Sequence, residues 1–219
     1  VALELFAHPF SSFCQKALIA LYENDIPFQF RLLDQSEPAN FEEFAVLYPL
    51  KKFPLLRDGD RIVGESSAII EHLQVFHPGA VRLIPDDPAQ AIEVRFLDRV
   101  FDEYVSTTQS FIVRDAIRPE EHRDPYGVER WRAALEVAYA WIDQRMAGRE
   151  WAGGEAFTLA DCAAAPALFY ADWTHEIGPQ FANLRAYRTR LNARPSFARC
   201  IEEARKYRSY FPLGAPDRD

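Results

Sequence analysis

The sequence predicts an α/β domain followed by an all-α domain, and three observations lead there. Short apolar or alternating runs at Leu3–Ala7 and Phe28–Leu33 flank a stretch with helical spacing from Ser12 to Asn24. Prolines and a glycine then punctuate the chain at His77-Pro78-Gly79 and again at Pro85-Asp86-Asp87-Pro88. Beyond that point every apolar pattern has helical period. Strands mixed with helices first, then helices alone, imply two domains: residues 1–78, a linker over 79–87, and a helical domain over 88–219.

Each element follows from local patterning. The Ser12–Asn24 helix buries Ala17, Leu18 and Leu21 and stops before Pro27, whose ring disfavours helix in the residue preceding it. Strand, helix, strand is a crossover unit, so the first two strands are expected to be parallel. A helical stretch near Phe41–Leu47 leads into Phe53–Val63, where two brief strands around Asp58-Gly59 read as a hairpin. A helix from Ser67 to about Phe76 closes this half. In the second half Leu97, Phe101, Tyr104, Thr108 and Phe111 recur at spacings of four and three, predicting one long helix with these five on one face. Trp131, Leu135, Ala138 and Ile142 do the same on the next. Thr158-Leu159-Ala160-Asp161 is a capping box, and further helices are expected over 180–193 and 196–208.

Composition excludes several classes of function. With 48% hydrophobic and 14% aromatic residues, the 219-residue chain can fill a sizeable core. A net charge of -8 argues against a general nucleic-acid partner. The longest nearly apolar run, Cys162 to Ala171, falls far short of the ~20 residues a membrane helix needs. Three cysteines, Cys14, Cys162 and Cys200, have no metal-ligand spacing and suit a reducing compartment. The expectation is a cytoplasmic protein with no metal.

Chemistry concentrates in three places. Ser11-Ser12-Phe13-Cys14 has the spacing of a C-x-x-C redox turn whose first cysteine is a serine, at the mouth of a helix where unpaired N–H groups favour a thiolate. Ser11 and Ser12 are equally good helix caps. As sulfur-contacting or reactive groups the order is Ser11, then Ser12, then Cys14. Phe53-Pro54 opens a strand at a bond where cis costs only about 0.5–1 kcal/mol over trans. A cis bond would leave the Phe53 backbone free to pair with an extended ligand, whereas a trans proline would mark an ordinary edge strand. Glu65-Ser66-Ser67 precedes a helix and offers either a cap or a carboxylate site beside an acid that pairs with an ammonium.

Taken together, the order S-x-x-C, X-Pro, Glu-Ser and then a helical domain resembles the cytosolic glutathione transferases of the serine-using, bacterial type. The first domain resembles their thioredoxin-like domain, and Phe157-Thr158-Leu159-Ala160-Asp161 resembles their helical capping motif. Leu47–Pro54 resembles the family's N-P-x-G-K-V-P segment, departing from it at Tyr48, Lys51 and Phe53. The resemblance implies a homodimeric transferase whose co-substrate is glutathione. It implies that Ser11 hydrogen-bonds the glutathione sulfur and that Phe53, beside Pro54, pairs with the cysteinyl backbone. Glu65 and Ser66 would hold the γ-glutamyl end, and Lys52 would approach the glycine end. A small hydrophobic electrophile would sit between the domains near Tyr104, Thr108, Phe111, Arg114, Tyr170 and Trp173.

The energetics suit a hydroxyl acting without a metal. Lowering a thiol pKa from about 8.5 by two units requires roughly 2.7 kcal/mol. One hydrogen bond to a charged group supplies about 1.5–3 kcal/mol and a helix N-terminus about 0.3–1 more. Two other expectations remain open at this level. One is a non-catalytic regulator that binds glutathione or a protein, and the other is a glutathione-dependent oxidoreductase or isomerase.

Overall fold

The computed structural model describes residues 3–219. Four strands, β1 (Leu3–Ala7), β2 (Phe28–Leu32), β3 (Leu55–Asp58) and β4 (Arg61–Gly64), form one sheet in the order β2-β1-β3-β4. β1 and β2 are parallel, joined by the crossover helix α1 (Ser12–Glu23), and β3 runs antiparallel to both β1 and β4. Helix α2 (Pro38–Leu47) starts earlier than its apolar residues suggest, because Pro38 occupies the first helical position, where its missing N–H costs nothing. Helix α3 (Ser66–Phe76) ends this half.

The second half is helical: α4 (Pro88–Arg99), α5 (Thr108–Ala116), α6 (Pro125–Met146), α7 (Leu159–Thr174), α8 (Ala182–Ala193) and α9 (Pro195–Ala204). The last expected helix is shorter than its period implies, since Arg205–Tyr210 tightens into a 3₁₀ turn. Helix α7 is buried along its whole length and starts on the expected capping box. Asp161 there accepts from the Thr158 N–H at 2.8 Å, the Ala152 N–H at 2.8 Å and the Tyr187 hydroxyl at 2.6 Å.

One expectation fails in an informative way. Helices α4 and α5 are continuous, but Val100–Thr107 between them is wound as a π-helix. Such winding takes more residues per turn, so the buried line advances by four residues twice in succession. It runs through Leu97, Phe101, Val105, Thr108 and Ile112, whereas Tyr104 and Phe111 are exposed. The five-residue stripe read from uniform α-helical spacing therefore does not lie on one face.

The two halves share a continuous apolar core, with α1 packed against α7 and α9. A buried ion cluster crosses the same boundary. Lys16 of α1, 1% exposed, lies 2.5 Å from Asp98 and 2.7 Å from Asp102 of the α4–π segment. Its ammonium also donates to Ser67 Oγ at 2.8 Å, and Ser67 in turn donates to Asp98 at 2.9 Å. Arg99 adds contacts of 2.8 Å to both carboxylates from the solvent side.

Candidate active site

Strand register brings the candidate residues together. Phe6 of β1 stands opposite Leu55 of β3, and Leu55 stands opposite Gly64 of β4. The end of β1, the start of β3 and the end of β4 are therefore neighbours at one end of the sheet. The loop to Ser11, the Phe53–Pro54 step and Glu65–Ser66 continue directly from those three strand ends. Segments 12 to 54 residues apart in sequence thus meet by topology alone.

Ser11 is the N-cap of α1, with extended φ/ψ of -90° and 125°. Its Oγ accepts a long hydrogen bond, 3.5 Å, from the Cys14 N–H, which engages an oxygen lone pair and leaves the hydroxyl proton available for donation. Ser12 takes the first helical position, and both serines line a cleft of about 350 Å³. The loop before them is pinned from several sides. The Phe10 N–H donates to His8 Nδ1 at 3.1 Å, and Gln15 Nε2 donates to the Pro9 carbonyl at 2.8 Å and to the Tyr170 hydroxyl at 3.0 Å. Cys14 does not reach the cleft. It is wholly buried, accepts from the His8 N–H, and burial pushes its thiol up to about 12. At neutral pH such a thiol supplies almost no thiolate, so the third-ranked candidate is a core residue.

On the neighbouring strands, the Phe53–Pro54 bond is cis, Phe53 and Lys52 are exposed, and Pro54 is buried. Glu65 is exposed at the N-cap of α3 with φ +65° and ψ 120°, and Ser66 is buried behind it. A non-glycine residue held in that left-handed region costs on the order of 1–3 kcal/mol, strain that clusters at ligand-contacting positions. Ser67 anchors this helix start to Lys16 and Asp98, so the segment is fixed from beneath.

The opposite wall of the cleft differs from the sequence expectation. Arg114 and Tyr170 line it, with Tyr170 edge-on to Phe10 at 5.4 Å. Thr108 is buried, Tyr104 faces solvent, and Phe111 stacks on Trp131 of α6 at 4.5 Å. Trp173 is buried against Phe169 and Phe211. The lining residues from the long helix are instead Gln109, Ser110 and Val113 with Arg114, and the C-terminal Tyr210 and Phe211 complete the wall. Ser110, Val113 and Arg114 share a helical face, and extending the pattern from Arg114 rather than from Leu97 would have found them. Phe10 sits one residue before the serine turn and carried no separate signal.

Thiol-type geometry at a helix cap, on a mixed four-stranded sheet with a helical domain behind it, defines a class. The glutathione S-transferase N-terminal domain matches residues 5–80, and the C-terminal domain of the same enzymes matches residues 125–190. The chain belongs to the cytosolic glutathione transferase family, whose co-substrate is glutathione. It is similar to the glutathione S-transferase GstB of Escherichia coli K12, with 26% identity over 196 residues covering 85% of this chain and 91% of that protein. Among solved structures, a glutathione S-transferase from Methylobacillus flagellatus with glutathione bound superposes with a TM-score of 0.81 at 26% identity, over 91% of this chain and 98% of that one. Another, from Methylobacterium radiotolerans in complex with glutathione sulfonate, gives 0.78 at 28% identity, over 92% and 95%. Among the described residues no helix is long and apolar enough to cross a membrane.

Proposed function

We propose that this chain ionises bound glutathione against Ser11 and transfers the thiolate to a small hydrophobic electrophile. The observation that carries this reading is the convergence of Ser11, Phe53 and Glu65–Ser66 at one sheet end, beside an aromatic cleft. The exposed backbone of Phe53, just before β3, suits the peptide part of glutathione, and the start of α3 suits its γ-glutamyl carboxylate. Exposed Glu65 suits the amine, and Lys52 the glycine carboxylate. In the reaction the thiol proton leaves to solvent while the Ser11 hydroxyl donates to the sulfur. The thiolate then forms a C–S bond as a leaving group such as halide departs with its electron pair. Phe10, Val113 and Tyr170 give the cleft the apolar surface a hydrophobic electrophile needs, and Ser110 and Arg114 its polar edge. Detoxification in the cytoplasm is the role that fits this chemistry. Burial of Cys14 weighs against a thiol-exchange mechanism.

The test is retention on immobilised glutathione together with turnover of an activated aryl halide, saturable in glutathione. Retention without turnover of any electrophile tried would favour a binding regulator, and loss of both would overturn the assignment. Pairing into a homodimer belongs to the same proposal. Ile92 and Phe96 of α4 and Val137 and Trp141 of α6 are exposed, and the Phe96 and Trp141 rings meet edge-to-face at 6.1 Å, so one apolar face spans the two helices. Sedimentation velocity is expected to give a dimer for the unchanged chain and a monomer for Trp141→Glu. A dimer unaffected by that change would place the interface elsewhere.

A further inference from the structure

The other end of the sheet holds a cluster that glutathione chemistry does not use. Asp58 closes β3 at the tip of the β3–β4 hairpin, His72 lies in the second half of α3, and His77 is that helix's C-cap. Both β3 and α3 run away from the glutathione end, so their far ends meet. Asp58 Oδ2 lies 2.9 Å from Nε2 of His72 and 2.8 Å from Nε2 of His77. The three donor atoms fall within 4.8 Å of one another, and among the described residues no other such trio converges. The His72 ring is largely buried, while the His77 side chain keeps 31% of its surface exposed, leaving an approach from solvent.

We propose that Asp58, His72 and His77 bind a divalent transition metal of the zinc or nickel type. Two imidazoles and one carboxylate are the donor set of such borderline ions, whereas calcium and magnesium favour all-oxygen sites. Ligand atoms about 2.0–2.1 Å from a shared ion and at right angles to each other lie about 2.9 Å apart. The observed N···O separations already match that spacing, a tetrahedral ion asks each N–O pair to spread by only ~0.5 Å, and the two ring nitrogens lie within 4.8 Å of each other. In the metal-free protein each ring donates its Nε2–H to the one oxygen. On binding, the ion takes the place of the Nε2 proton, and a ring that binds as neutral imidazole regains that proton on Nδ1 by exchange through solvent, changing tautomer with no net proton lost. The metal would pin the hairpin to α3, the two elements whose near ends carry Phe53–Pro54 and Glu65–Ser66.

Calorimetric titration of the chelator-treated full chain with nickel or zinc alone tests this independently of any transferase activity. The expected result is one-to-one binding, with Tm raised by about 5–10 °C at free metal about a hundredfold above Kd. His77→Gln and Asp58→Asn should each weaken binding by about tenfold or more and, at the same free metal concentration, cut the metal-dependent Tm shift by about half or more. His122→Gln, on an exposed 3₁₀ turn of the helical domain, should leave both unchanged. Absence of stoichiometric binding, or equal affinity in His77→Gln and Asp58→Asn, would overturn the site; hydrogen bonds alone would then hold the hairpin to the helix.

Discussion

Ser11→Ala is expected to lower kcat/KM for conjugation by about 10- to 100-fold, the equivalent of the 1.5–3 kcal/mol of a hydrogen bond to a charged sulfur. The same change should raise the apparent pKa of the bound thiol, moving the pH–rate profile to higher pH so that the deficit narrows in alkaline buffer. Two controls separate chemistry from folding. Ser11→Ala also removes a helix cap, costing about 1 kcal/mol, but Ser11→Gly costs only a few tenths because glycine caps nearly as well. Both variants lack the hydroxyl, so both should lose activity while Ser11→Gly stays close to the unchanged chain in stability. Ser12→Ala should retain activity. If Ser12→Ala alone raised the thiol pKa, the sulfur contact would belong to Ser12.

The largest stability effect is expected at Lys16. Lys16→Met leaves Asp98 and Asp102 facing each other in the domain boundary with only the half-exposed Arg99 as a cationic partner. Removing one member of a buried ion pair costs about 3–5 kcal/mol, which for a chain of this size lowers Tm by roughly 6–20 °C at pH 7. The loss should also depend on pH. Burial already holds the Asp102 carboxyl above the usual carboxylate range, with the Lys16 charge the main influence opposing it. Without Lys16 that carboxyl rises further in the folded state but not in the unfolded one. A raised folded-state value contributes stability that is fully present below the unfolded pKa of about 3.9 and fades as pH climbs through the folded value. Urea unfolding should therefore find the variant's deficit smaller at pH 5 than at pH 7. An equal deficit at both pH values would show that the carboxylates rehydrate rather than stay buried.

Much of the fold was legible because the period of the apolar pattern changes at the linker and because the hairpin and the capping box carry their own chemistry. The capping box at Thr158–Asp161 needed no tertiary information, since both partners lie within one turn. The helix starts at Ser11 and near Ser67 were visible in local spacing, but their juxtaposition was not. It depends on strand order and register, which local spacing does not encode. Cys14, one turn into the helix, ranks below both serines in the sequence, and packing shows that the helix rotates it into the core. The cleft wall was misassigned because extrapolating one helical phase from Leu97 assumes uniform winding, and the chain departs from it between Val100 and Thr107.

That departure makes the helical wall of the cleft a matter of counting. Each α-helical residue turns the chain by about 100°, so the surplus residue in the π-wound stretch behaves as a fixed rotation applied to everything after it. The anchoring half, with Asp98 and Asp102 clasping Lys16, and the cleft-facing half, with Ser110, Val113 and Arg114, belong to one rod yet are indexed separately. Deleting a single residue from that stretch would leave the first half seated and swing the second a quarter-turn out of the cleft, exchanging one set of wall residues for another with no change in the neighbouring sheet.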